Sequence, residues 1–279
     1  MKHPEVSSSP LPPTPEVALA IFGDRLGLAE RYVAELADTG ISHGLIGPRE
    51  APRLWDRHVL GCAVLQSAFP LHAIVADIGS GAGLPGIVLG IVRPDLQLVL
   101  VEPLHRRVVW LQSTVERLEL DNVTVHEGRA ESLWGVRRFP AVTARAVARI
   151  GALSGWCLPL LEAGGRLVAM KGASARLEVE EDGDILLSAG GAQVSIATYG
   201  EDLLDVPTTA VVVAVDRAPD IPSSSARPRG HSTPGNLSTS RGSTRRRQTS
   251  GRRAAGPEAG RSEQKGARPE AGAASDEGS

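Results

Sequence analysis

One stretch constrains this chain more than any other: an apolar run, Ile74-Val75-Ala76-Asp77-Ile78, that passes straight into Gly79-Ser80-Gly81-Ala82-Gly83. A short apolar run bounded by turn residues reads as a buried strand. The alternating glycines allow a tight turn and let a ligand approach the backbone closely. An apolar segment from about Pro85 to Ile91 reads as a helix behind that turn. Strand, glycine turn and helix together predict the opening unit of an open α/β sheet.

The alternation continues downstream. Gln97 to Val101 is a second strand ending in Glu102, and a helix from about Leu104 to Leu118 follows. Val123 to His126 is a third strand, leading into Gly128-Arg129-Ala130-Glu131. A fourth, Ala141 to Thr143, leads into Ala144-Arg145-Ala146, with a helix over about Ile150 to Leu161. A fifth, Arg166 to Met170, ends at Lys171-Gly172. Continuous apolar strands separated by helices predict a doubly wound, mostly parallel sheet covered on both faces. Gln193 to Thr198 and Thr209 to Asp216 are two more strands, joined by too few residues for a crossover helix. They are expected to pair antiparallel as a C-terminal hairpin at one edge of the sheet.

Around this domain, expected at 73–216, three other segments separate. Residues 1–15 are rich in Pro and Ser, lack an apolar signal core, and read as a disordered leader. Residues 16–72 read as a helical region: two helices over Glu16 to Asp38 divided near Gly23 and Gly27, a loop over Gly40 to Pro48, and a helix from about Pro52 to Phe69. Residues 217–279 read as a disordered basic tail of Ser, Gly, Pro, Arg and Ala. That tail holds twelve Arg or Lys against six Asp or Glu, leaving 18 against 26 in the preceding residues. A mildly acidic body with a basic tail is compatible with a nucleic-acid partner.

Composition excludes several classes. Aromatic residues are only 3% of the chain, so the core must rest on Leu, Val, Ile and Ala. No apolar run approaches the ~18 residues of a membrane span. Cys62 and Cys157 are far apart in apolar surroundings and read as buried small hydrophobes in a reducing compartment, hence the cytoplasm. No CxxC or His/Cys cluster suggests a metal.

The glycine loop and Glu102 together imply an adenosine-containing cofactor. A carboxylate at the end of the second strand can accept hydrogen bonds from both ribose hydroxyls. A nicotinamide dinucleotide prefers G-x-G-x-x-G, because its pyrophosphate sits on the helix N-terminus. Here the spacing is Gly79-x-Gly81-x-Gly83, with Leu84-Pro85 beside the helix start. S-adenosylmethionine has no pyrophosphate to cradle, and the terminal hairpin also favours a methyltransferase. An NAD-dependent dehydrogenase and a noncatalytic RNA-binding or ribosome-assembly module are the competing readings.

The run Asp77 to Ile87 closely resembles the glycine loop of the RsmG (GidB) family. Trp55-Asp56-Arg57-His58, Glu102 to Arg107, Ala144-Arg145-Ala146 and Met170-Lys171-Gly172 resemble further segments of that family in order. The resemblance covers about residues 17 to 215 and implies a class I S-adenosylmethionine-dependent methyltransferase. It implies methylation of N7 of a guanine in the 530 loop of 16S ribosomal RNA, with that RNA or the small subunit as partner. It assigns cofactor contacts to Gly79, Leu84, the Ala130-Glu131 pair and Arg145, and Glu102 stands where the family usually has an acidic residue; the glycine-loop reading adds Gly81 and Gly83 to the cofactor-binding residues. The resemblance places Arg129, Arg145 and Lys171 near the RNA. The family often has a polar Asn-Leu-Thr segment where this chain reads Gly44-Leu45-Ile46-Gly47. A monomer is expected.

Guanine N7 carries an in-plane lone pair and needs no general base before attack. The expected reaction is therefore a direct displacement at the sulfonium methyl, with the protein supplying position and charge. A cation at O6 would hold the base in register, and Arg145 or Lys171 is the candidate catalytic residue. Arg145 could instead form a structural pair with Asp77 or Glu131. His58 reads equally as a satisfied core histidine or a site residue. Arg106 and Arg107 are expected on a solvated helix face.

Overall fold

In the computed structural model, which describes residues 11–222, the chain begins as helix. α1 (Glu16–Phe22) and α2 (Leu26–Glu35) are separated by a 3-10 turn over Gly23–Arg25. The break falls at Gly23; Gly27, expected to share it, lies inside α2. The expected helix from Pro52 is a string of short 3-10 and π-type turns between Pro48 and Ala68, with a single α turn, α3 (Leu60–Ala63). Pro52 inside this stretch has no N–H to offer a regular helix.

The sheet domain then runs β1 (Ile74–Ile78), α4 (Gly86–Val92), β2 (Gln97–Glu102), α5 (His105–Arg117), β3 (Val123–Glu127) and β4 (Phe139–Arg145). It continues through α6 (Ile150–Cys157), β5 (Leu161–Lys171), α7 (Ala175–Ser188), β6 (Gln193–Tyr199) and β7 (Thr208–Ala214). The strand order is β3-β2-β1-β4-β5-β7-β6. β1 to β5 are parallel, and β7 pairs antiparallel with both β5 and β6. This is the doubly wound sheet with a terminal hairpin that the sequence predicts. α7 is an element the sequence reading does not contain.

Strand periodicity sorts the core into two faces. Val75, Leu98 and Leu100 point to one, where they meet Tyr32, Leu54, Leu65, Ile87, Leu89 and Leu111 from α1 to α5 and the turns between them. Ala76, Ile78, Val99 and Val101 point to the other, against Ile150, Leu153, Cys157 and Leu186 from α6 and α7. Residues of the 16–72 segment and of the sheet thus stand in the same core. Tyr32 Oη, fully buried, donates to the Ala82 carbonyl at 2.6 Å, which ties α2 to the glycine loop.

The segments expected as tails overlap the described residues slightly. Thr14 Oγ1 donates to Glu30 Oε1 at 2.7 Å. Pro219 is buried and its carbonyl accepts from Arg138 Nη2 at 2.8 Å, so packing continues beyond the expected boundary at 216. The rest of the leader and of the basic tail lies outside the described residues.

Candidate functional site

Parallel sheets of this kind bind ligands at the carboxyl ends of the strands, where the strand order reverses. Here that point lies between β1 and β4, and the glycine loop and Arg145 both stand on it. The loop folds back on its neighbour: Gly79 N and Ser80 N both donate to the Val101 carbonyl, at 2.8 and 3.2 Å. Asp77 is wholly buried beneath it. Its Oδ2 accepts from Ser80 Oγ at 2.8 Å and from Gly86 N at 3.0 Å, while Oδ1 has no hydrogen-bond partner. Burial pushes this carboxyl up to about 6, against the pull of those two bonds and of Arg145. Gly86 is required by the approach, since a Cβ there would lie 2.2 Å from Leu100 Cδ2 and 2.7 Å from Asp77 Oδ2. Gly83 has φ +84°, and a Cβ would lie 2.4 Å from Ile87 Cδ1.

Glu102 is 1% exposed. Its Oε2 accepts from Gly81 N at 3.0 Å and its Oε1 from Leu104 N at 3.1 Å. The carboxylate therefore ties the loop to the start of α5, and each oxygen keeps a second lone pair. Arg107 Nη1 lies 3.7 Å from Glu102 Oε2. The expected solvated position of Arg107 is corrected: it is half-buried and lines the central cavity, whereas Arg106 is exposed.

At the end of β4, Arg145 turns toward the helical region. Its Nη2 contacts His58 Nδ1 and its Nη1 donates to Cys62 Sγ at 3.4 Å. His58 Nε2 in turn lies 2.9 Å from Glu50 Oε2. Among the described residues no ion pair joins Arg145 to Asp77 or Glu131, the partners considered from sequence. Burial and the charge of Arg145 push the His58 pKa down, so its neutral form is favoured. The hydrogen bond from His58 holds the Glu50 carboxyl below its ordinary range.

Glu50, His58, Arg107, Arg145 and the glycine loop line a cavity of about 300 Å³. Of the expected cofactor residues, Gly79, Gly81, Leu84 and Arg145 line it. Gly83, Glu102, Ala130, Glu131 and Arg129 are outside that lining. Ala130 is buried, shares a core with Ile78, Val101 and Ala144, and follows closely on the carboxyl end of β3 at Glu127. Arg129 is exposed. Glu50, His58 and Arg107 also line the cavity: Glu50 is absent from the sequence reading, Arg107 is expected there on a solvated face, and of the two readings of His58 the cavity favours the site residue. Leu45, Ile46 and Gly47 form an apolar part of its lining.

Lys171 is engaged away from the cavity. It was expected at the base-facing rim, but its Nζ donates to Glu178 Oε2 at 2.7 Å and to the Ala148 carbonyl at 2.5 Å. Its side chain is 9% exposed and lies outside the cavity lining. α7, unseen in the sequence, supplies the carboxylate that takes this amine. The pair holds the loop after β4, whose Val147 packs on Gly79.

The cavity fits an adenosine-bearing cofactor. It sits at the switch point with Gly79 and Gly81 in its lining, and Asp77, directly before the loop, keeps one buried carboxyl oxygen without a partner. Its volume is at the lower end of ordinary small-molecule sites. Among the described residues no group of three or more His, Cys, Asp or Glu is placed to hold a metal. No helix among them is long and apolar enough to cross a membrane.

Fold and site together define an S-adenosylmethionine-dependent methyltransferase of the Rossmann-like class. The GidB family model, described as rRNA small subunit methyltransferase G, matches residues 25–204. The ribosomal RNA small subunit methyltransferase G of Paenarthrobacter aurescens (strain TC1) is 52% identical over 202 residues, 72% of this chain and 94% of that protein. Its counterpart from Arthrobacter sp. (strain FB24) is 53% identical over 206 residues, covering 74% and 95%. That from Salinispora arenicola (strain CNS-205) is 47% identical over 234 residues, covering 81% and 97%. The chain belongs to the rRNA small subunit methyltransferase G family. Neither the dehydrogenase nor the noncatalytic alternative finds support in these matches.

Proposed function

We propose that this enzyme methylates N7 of a guanine in the 530 loop of 16S ribosomal RNA, acting in the cytoplasm as a monomer on the RNA or the small subunit. The observation that carries the reading is that Arg145 and the Gly79–Gly81 loop line one cavity. S-adenosylmethionine, when bound, supplies an activated methyl group. The glycine loop and Leu84 would hold it, Glu102 keeps the loop in place, and Ala130 and Glu131 are further candidate contacts outside the cavity lining.

The cavity's ionisable groups suit a nucleophile that brings its own lone pair. His58 is engaged at both nitrogens, by Arg145 and by Glu50. It therefore has no nitrogen to spare for a substrate proton, and N7 of guanine needs none removed. Arg145 is left to orient the base through its acceptor edge. Lys171 acts at one remove, by holding the loop after β4. Arg129 and Arg106, both exposed, meet phosphates, as positioning contacts without base specificity.

Mass mapping of small-subunit RNA from cells with and without the gene tests this function. The expected result is loss of one methylated guanine in the 530 loop. An unchanged RNA methylation pattern would sink it. Sedimentation of the purified chain tests the monomer.

A further inference from the structure

The contact between Arg145 and His58 joins residues far apart in the chain, one at a strand end and one in the helical region. A guanidinium has only donors. The histidine nitrogen that faces it, Nδ1, must therefore carry no proton. On the opposite side Nε2 faces a carboxylate that is an acceptor when ionised, so Nε2 carries the hydrogen and donates to Glu50. Both neighbours thus select the same neutral tautomer. The ring has little freedom to choose otherwise, since its side chain is 11% exposed.

We propose that His58 is a positioning residue for methyl transfer: backed by Glu50, it accepts from Arg145 and fixes that guanidinium on the cavity wall. The proposal rests on the role given to Arg145 above. A long arginine at the end of a strand has many rotamers. Here one nitrogen is held by His58 and another by Cys62 from α3, so the helical region sets the direction of the group. His58 touches neither the methyl donor nor the base in this account. It acts through Arg145.

A pH dependence follows. The charged groups facing His58 are Glu50, Arg57 and Arg145. Protonating Nδ1 would set one N–H against another and break the contact. Activity should therefore fall on the acid side as His58 takes up its proton, at a pH below its ordinary value. Asp77 also titrates within the assay window, at about 6, so the part of the limb due to His58 is read from the His58 variants against wild type.

The experiment is steady-state methyl transfer to small-subunit RNA by the full chain from pH 5 to 8, for wild type, His58→Phe, His58→Asn and Arg145→Ala. His58→Phe removes the acceptor and should lower kcat/KM on the order of tenfold to hundredfold, the scale of a misplaced orienting group. His58→Asn offers its Oδ1 where Nδ1 stood. It should recover much of that loss and should flatten the acid limb. Full activity in His58→Phe, or a wild-type acid limb in His58→Asn, would overturn the proposal while leaving the role of Arg145 intact. Full activity in Arg145→Ala would instead remove the site reading itself. Should His58→Phe fail to fold, the nitrogen-15 spectrum of histidine-labelled wild type at pH 7.5 decides the matter. The His58 signal, assigned by its absence in His58→Asn, is expected as the Nε2–H tautomer, and an Nδ1–H tautomer or an imidazolium would contradict it.

Discussion

Asp77 shows what a single buried side chain can demand of this fold. Its carboxyl lies fully buried below the glycine loop, with one oxygen doubly engaged and the other unpaired. Burial raises its pKa to about 6, above the unfolded carboxylate value of roughly 3.9. A raised acid contributes stability below the unfolded pKa and loses it as pH rises through the folded one. Across about pH 4 to 6.5 this group should therefore cost the folded state on the order of 3 kcal/mol. Asp77→Asn should flatten that part of the stability curve, as read from thermal melts over the same range; parallel wild-type and variant curves would count against it. Tyr32→Phe removes the donor to the Ala82 carbonyl and should lower stability in urea by about 1–2 kcal/mol. Asp77 and the loop glycines were legible from sequence because neighbours in the chain are neighbours in the site. His58 and Arg145 were not legible as a pair, since only tertiary packing unites positions 87 residues apart.

Among the elements, α7 engages the Lys171 amine that the sequence reading aims at the base. Glu178 Oε2 accepts from Lys171 Nζ and from Ile150 N, and Asp182 Oδ2 accepts from Gly151 N. Carboxylates of one helix thus satisfy the first N–H groups of α6, where a negative charge also suits the helix dipole. Burial opposes the charge on Glu178, yet the bonds from Lys171, Ser174 and Ile150 N hold its carboxyl below the ordinary range. Its stabilisation is present above the unfolded pKa and is lost as pH falls through the folded one. Glu178→Ala leaves a buried ammonium without its carboxylate and should destabilise by about 3 kcal/mol. A double-mutant cycle with Lys171→Met checks this, and additive effects would show that the pair is not coupled. The helix escaped the sequence reading for a related reason. Its buried positions include Glu178 and Asp182 as well as Ala175 and Leu186, and Gly183 interrupts it. The apolar periodicity that marks an amphipathic helix is therefore missing. The parallel strands carried continuous Val, Leu and Ile runs and were readable at once.

Over the whole molecule, one sheet divides two apolar cores, and the N-terminal helices close one of them while supplying Glu50, His58 and Cys62 to the site. The sequence exposes this architecture through strand spacing and the terminal hairpin, but it cannot show which residues of the helical region reach the cavity. Charge is also divided. Residues 223–279 carry eleven Arg or Lys against five Asp or Glu. Deleting them should weaken RNA binding and reduce its salt dependence, while cofactor affinity stays unchanged. Filter binding at several salt concentrations measures the first and calorimetry the second; an unaltered salt slope would deny the tail any electrostatic role. Calorimetry also reaches the central claim, that the switch-point cavity holds the methyl donor. Titration of the full chain with S-adenosylhomocysteine should show one binding site, lost in Gly81→Val. No heat with that ligand, together with firm binding of NADH, would contradict the account.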